Sequence, residues 1–128
     1  MNEKQLTDYF LSRPEATRDY PFGPDVAVFK ILEKMFGLIS HEKGSLRINL
    51  KCDPIEAQQL RDVFACVIPG YHMNKKHWNT VIIDGSLPQG EIERQIDNSY
   101  SLVVKGLKKS DRQGLELRHG KAMIYKTT

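Results

Sequence analysis

Long apolar runs are missing from this chain of 128 residues: nowhere does it approach the ~18 consecutive apolar residues that a membrane helix needs. The opening Met1-Asn2-Glu3-Lys4 lacks the apolar core of a signal peptide, so a cytoplasmic protein is expected. Cysteine is scarce. Cys52 and Cys66 stand in neither a metal nor a redox spacing and are read as reduced thiols, which excludes a disulfide scaffold. A Gly-rich phosphate loop, a GxSxG elbow and an HExxH pair are all absent, so none of the common catalytic motifs is present.

What is there fits one domain of ordinary globular composition, 40% hydrophobic and 27% charged. A chain this long buries roughly two-thirds of the surface it exposes when unfolded, enough to fold without staples. The net charge of +3 is uneven. Residues 105–128 hold seven Lys or Arg against Asp111 and Glu116, an excess of five that leaves the other 104 residues at −2. A solvated, partly disordered tail and a nucleic-acid contact account for that excess equally well.

Periodicity predicts the elements. A helix is expected from Glu3 to Ser12, with Asn2 and Gln5 as a capping pair and Arg13-Pro14 as its end. Val26 to Ile31 and Lys34 to Ser40 read as strands joined tightly through Leu32-Glu33. In Ser45 to Lys51 the residues Leu46, Ile48 and Leu50 point one way and Arg47, Asn49 and Lys51 the other, implying a buried and a wet face. Asp53-Pro54 opens a second helix whose stripe is Leu60, Val63, Phe64 and Val67, stopped by Pro69-Gly70. Trp78 to Asp84 reads as a fourth strand, and Pro88 introduces a last helix through Leu107. Beyond Lys109 the periodicity fades. Two long amphipathic helices covering one face of an antiparallel sheet make a two-layer α+β sandwich. Its expected core is Leu46, Ile48, Leu50, Leu60, Phe64, Ile96, Tyr100 and Val104.

The densest polar cluster is Tyr71-His72-Met73-Asn74-Lys75-Lys76-His77-Trp78-Asn79-Thr80. Lysines neutralise phosphate and a flat ring or an amide can stack on or read a base, so this mixture suits nucleic acid; a turn with solvated lysines over a packed Trp78 is the other reading. His72 and His77, five apart, diverge on a strand or a helix, so no metal site is expected there. Cys66 reads as a core residue rather than a nucleophile. Asp53, Glu56, Asp84 and Glu91 are accounted for by caps and turns, and Arg47, Asn49 and Lys51 by a solvated strand face.

Several stretches together resemble one family. They are Tyr20-Pro21-Phe22-Gly23-Pro24-Asp25, Val28-Phe29-Lys30, Lys34-Met35-Phe36, Leu50-Lys51-Cys52-Asp53-Pro54, the run from Ile68 to Val81, Ser99-Tyr100 and Val103-Val104-Lys105-Gly106-Leu107. The chain resembles the MmcQ/YjbR family over about residues 1–108. The resemblance implies a fold like that of the frataxin homologue CyaY and DNA binding through a double-wing arrangement. The segment His72 to Thr80 matches the family's most distinctive motif position by position. Residues 109–128 depart from it as a basic C-terminal tail. Iron handling, which a frataxin-like outline also suggests, needs an acidic ridge; the first helix offers only Glu3 and Asp8 among Lys4 and Arg13.

The sequence therefore predicts a binding protein without catalytic residues, cofactor or metal. DNA is the expected partner, through His72, Asn74, Lys75, Lys76, His77, Trp78, Asn79, Thr80, Arg47 and Lys51 and the open sheet face. A protein or small molecule on that face is the alternative. A continuous positive stripe would favour nucleic acid and an apolar concavity a small ligand.

Overall fold

Asn2 and Gln5 cap the first helix reciprocally: the Asn2 side chain accepts from the Gln5 amide at 2.8 Å, and the Gln5 side chain accepts from the Asn2 amide at 2.8 Å. The computed structural model describes residues 1–126, in which this helix is α1, Glu3–Leu11. The strands β1 (Ala16–Asp19), β2 (Ala27–Ile31), β3 (Lys34–Glu42) and β4 (Ser45–Lys51) follow. Next come α2 (Pro54–Val63), β5 (Val67–Pro69), β6 (Trp78–Ile82), α3 (Gln89–Lys105), α4 (Lys109–His119) and α5 (Lys121–Ile124). The six strands form one antiparallel sheet in the order β1-β2-β3-β4-β6-β5, with α1 and α3 packed on one face, as the two-layer α+β reading requires. No helix among the described residues is long and apolar enough to cross a membrane.

The layer between helices and sheet is aromatic. Phe10 of α1 stacks on Phe29 at 4.4 Å between ring centres, and Phe36 meets Tyr100 of α3 edge-on at 5.1 Å. Gly37 lies beneath Phe10, where a Cβ would run into the ring. Ser99 of α3 donates to the Phe36 carbonyl at 2.5 Å and accepts from the Lys51 amide at 2.8 Å, fixing the helix to β3 and β4. Ile48, Leu50, Leu60, Ile96, Tyr100 and Val104 are buried in this core, and Leu46 and Phe64 pack half-buried against it.

Three elements depart from the expected ones. β1 is a polar edge strand, Ala-Thr-Arg-Asp, with no alternation to betray it. The second helix stops at Val63, because the chain turns extended at Phe64 and the β-branched pair Val67-Ile68 joins β6 instead. Val63 is consequently exposed, not part of an apolar stripe. The basic C-terminal segment, expected as a tail, is helical over α4 and α5, and Leu115 and Ile124 are fully buried in the common core. Glu15 accepts from Arg118 Nε at 2.7 Å and lies 2.7 Å from His119 Nε2, tying α4 to the α1–β1 turn. The last two residues of the segment lie outside the described ones.

Candidate functional site

The sheet face turned away from the helices is not a wet face. Strand register sets Asp19, Val28, Leu38, Asn49, Thr80 and Ile68 side by side across it. Val28 is 1% exposed, and Leu38, Asn49 and Thr80 are each 8% exposed, because two loops fold over the row. The stripe Arg47, Asn49 and Lys51 is therefore half-buried to buried.

The first loop, residues 20–26, is shaped by Pro21, Pro24 and Gly23, whose φ of 104° suits glycine. The second loop, residues 70–77, is built on Asn74. Its side-chain oxygen accepts from the Lys76 amide at 3.0 Å and its carbonyl accepts from the His77 and Trp78 amides at 3.1 and 2.9 Å. Gly70 closes the base, its amide donating to the Trp78 carbonyl at 2.9 Å, and a Cβ there would press on Trp78.

Between the loops lies a cleft of about 330 Å³. Phe22 and Val26 form one wall and His72 and Met73 the other; Met35, Leu38, Ser40 and Asn49 make the floor. Thr80 donates its hydroxyl to Asn49 Oδ1, which orients the amide and leaves Nδ2 without a protein partner among the described residues. Nδ2 is not among the buried side-chain atoms that lack a partner, so it reaches the open cleft as an available donor.

The residues expected to contact DNA do not all lie on one exposed surface. His72 is exposed at the cleft wall, 3.8 Å from Glu42. Lys75, Lys76 and His77 are exposed on the second loop, with Lys75 Nζ 5.2 Å above the Tyr71 ring. Asn74 spends its side-chain oxygen on the loop turn. Trp78 is half-buried opposite Lys51. Asn79, 1% exposed, turns to the helix side and donates to the Ala57 carbonyl at 3.3 Å, so it is a packing residue. Thr80 is occupied with Asn49. Arg47 pairs with Glu42 at 3.5 Å, whereas Lys51 has no ion pair among the described residues. The basic charge of the C-terminal segment is carried by the helical layer, away from the cleft, so positive charge is divided between two sides.

Phe22, Val26, Met35, Leu38, Ser40, Asn49 and Met73 were not among the expected contact residues. Their signal was the apolar character of β2 and β3 on both faces, which only a sheet covered on both sides requires. Neither thiol enters the cleft; both are buried, and burial pushes Cys52 up to about 12. Among the described residues no three His, Cys, Asp or Glu side chains stand together as a metal site needs. On α1, Asp8 is already paired with Lys4 at 2.8 Å and Glu3 with His41 at 3.0 Å.

Comparison with known proteins fits this architecture. The family model described as YjbR matches residues 11–102, which hold both loops and the whole floor of the cleft. The chain belongs to the YjbR family. Its YjbR relatives include the uncharacterised protein YbdF of Escherichia coli O157:H7, 42% identical over 94 residues, covering 73% of this chain and 77% of that one. The uncharacterised protein YjbR of Escherichia coli K12 is 30% identical over 113 residues, covering 88% of this chain and 96% of its own. The crystal structure of Deinococcus radiodurans protein DR2400, with domain DUF419, superposes with a TM-score of 0.79 at 36% identity, over 88% of this chain and 86% of that one.

Proposed function

We propose that this YjbR domain works by binding rather than catalysis, and that the cleft between loops 20–26 and 70–77 takes a small, largely apolar ligand. One observation carries the reading. Two sequence stretches some fifty residues apart, both part of the family resemblance, close over a single apolar concavity with an unpartnered amide in its floor. Its size falls in the range of small-molecule sites, which are mostly apolar with a few convergent polar groups. Phe22, 71% exposed, stands at the mouth as a ring available to a ligand. Ser40 and His72 both line the cleft, but no hydrogen bond joins them among the described residues, and the Glu42 carboxylate stands 3.8 Å from His72 Nε2, beyond hydrogen-bond reach.

The test is a neutral fluorescent ring compound, N-phenyl-1-naphthylamine, titrated into the full chain and into Ser40→Phe, which fills the cleft without removing a hydrogen bond. Saturable binding that Ser40→Phe weakens at least tenfold is expected. Equal binding by both proteins, or none by the parent, defeats the proposal.

A second reading, DNA binding, is favoured by Lys75 and Lys76, exposed and without ion pairs among the described residues. Each phosphate contact releases about one counterion, so Lys75→Ala with Lys76→Ala would flatten the salt slope by about two units. Fluorescence anisotropy of a labelled duplex at two salt concentrations measures it; a parent chain that binds no duplex at low salt removes this reading.

A further inference from the structure

The cleft is graded from one end to the other. Along its floor β3 presents Met35, then Leu38, then Ser40, so an apolar stretch gives way to a hydroxyl. Asn49 pairs with Leu38 and Ser40 with Arg47, which makes Asn49 and Ser40 diagonal neighbours, positions about 7–8 Å apart across a sheet. Asn49 is 8% exposed, and its Nδ2 is free for the cleft while Thr80 holds Oδ1. The Ser40 hydroxyl makes no hydrogen bond among the described residues. Two donors therefore open into one end of an apolar space. Beyond Ser40 stands Glu42, whose carboxylate meets Arg47 at 3.5 Å and His72 at 3.8 Å. That end thus holds no unmatched positive charge for an anion among the described residues.

Resting on the proposed cleft reading, we infer that the ligand is an uncharged aromatic carbonyl compound, its ring over Met35 and Leu38 and its carbonyl oxygen at Asn49 Nδ2 and Ser40 Oγ. A carbonyl oxygen has two lone pairs and can take both donors, whereas a ring nitrogen has one and a hydroxyl brings a hydrogen that needs its own acceptor. An aromatic ring suits the remaining walls. Met35 and Met73 offer thioethers, which favour the edge of a ring, and Phe22 offers a ring face or edge at the mouth.

The experiment compares two compounds of one shape. 2-Acetylnaphthalene carries the carbonyl, and 2-isopropenylnaphthalene has a CH₂ group in place of its oxygen. Each displaces N-phenyl-1-naphthylamine from the full chain and from the pair Asn49→Leu with Thr80→Val, which removes the donor and its holder together. The inference expects the pair to bind the ketone about fivefold more weakly while the alkene stays within about twofold, the size of one neutral hydrogen bond. It also expects the ketone to move the Asn49 side-chain amide protons of the isotopically labelled parent to lower field than the alkene does. That second measurement decides the matter if circular dichroism shows the paired variant unfolded. A ketone that the pair binds as well as the parent does, or equal amide shifts with both compounds, overturns the carbonyl seat while leaving the cleft standing. If the parent binds neither the dye nor either compound, the cleft reading fails, and this inference with it.

Discussion

Thr80 and Asn49 face each other across β6 and β4, and the hydroxyl of Thr80 donates to the amide oxygen of Asn49 under the cleft between the two loops. Both are 8% exposed. The pair is a polar centre flanked in its row by the apolar Leu38 and Ile68, and it decides which end of the amide a ligand meets. Removing one partner strands the other in a dry site, whereas replacing both by apolar groups of similar shape removes the demand altogether. Thr80→Val and Asn49→Leu are each expected to cost about 1–3 kcal/mol in urea unfolding, and the double variant clearly less than their sum. Additive losses would mean that the two side chains are not coupled.

A second expectation concerns the C-terminal segment. Leu115 is fully buried beneath α4, and Ile124 is 1% exposed. Leu115→Ala should lower stability by about 2–5 kcal/mol, and a chain ending at residue 108 should lose more, since it opens two core positions together. A freely solvated tail would show neither effect in chemical denaturation.

A third expectation is a pH dependence. Hydrogen bonds from Arg118 and His119 hold the Glu15 carboxyl below its ordinary 4.5. A carboxyl with a depressed folded value stabilises the fold above the unfolded value and loses that contribution as pH falls through the folded one. Thermal melts of the parent and Glu15→Gln from about pH 6 to about pH 3 should therefore show the parent's advantage shrinking below about 4.5. An advantage that persists unchanged into acid would show that Glu15 does not tie α4 down through its charge.

Much of this was legible in the residues. The alternation from Ser45 to Lys51 placed Ile48 and Leu50 correctly, and Asn2, Gln5, Asp53 and Pro54 marked two helix starts through their capping chemistry. The tight Leu32-Glu33 connection is a two-residue hairpin with both residues at positive φ, 46° and 67°. Other features were hidden for physical reasons. β1 has no apolar face, and β5 is three residues attached to a helix-like run, so only pairing with a neighbour reveals either. α4 buries one leucine while Leu117 is 89% exposed, which blurs its period. The polar segment from Tyr71 to Thr80 stood out, but its composition could not show that Asn79 turns inward or that its partner across the cleft is the loop around Phe22. That pairing is a property of the folded sheet, not of either stretch alone.

The most direct test of the account is where a ligand lands. Titrating N-phenyl-1-naphthylamine into the isotopically labelled chain, with amide resonances followed by two-dimensional NMR, maps its site residue by residue. The account predicts saturable shifts concentrated at Val26, Met35, Leu38, Ser40, Asn49, His72 and Met73. Shifts confined to Lys75, Lys76 and His77, or spread over the helical layer around α4, would contradict it.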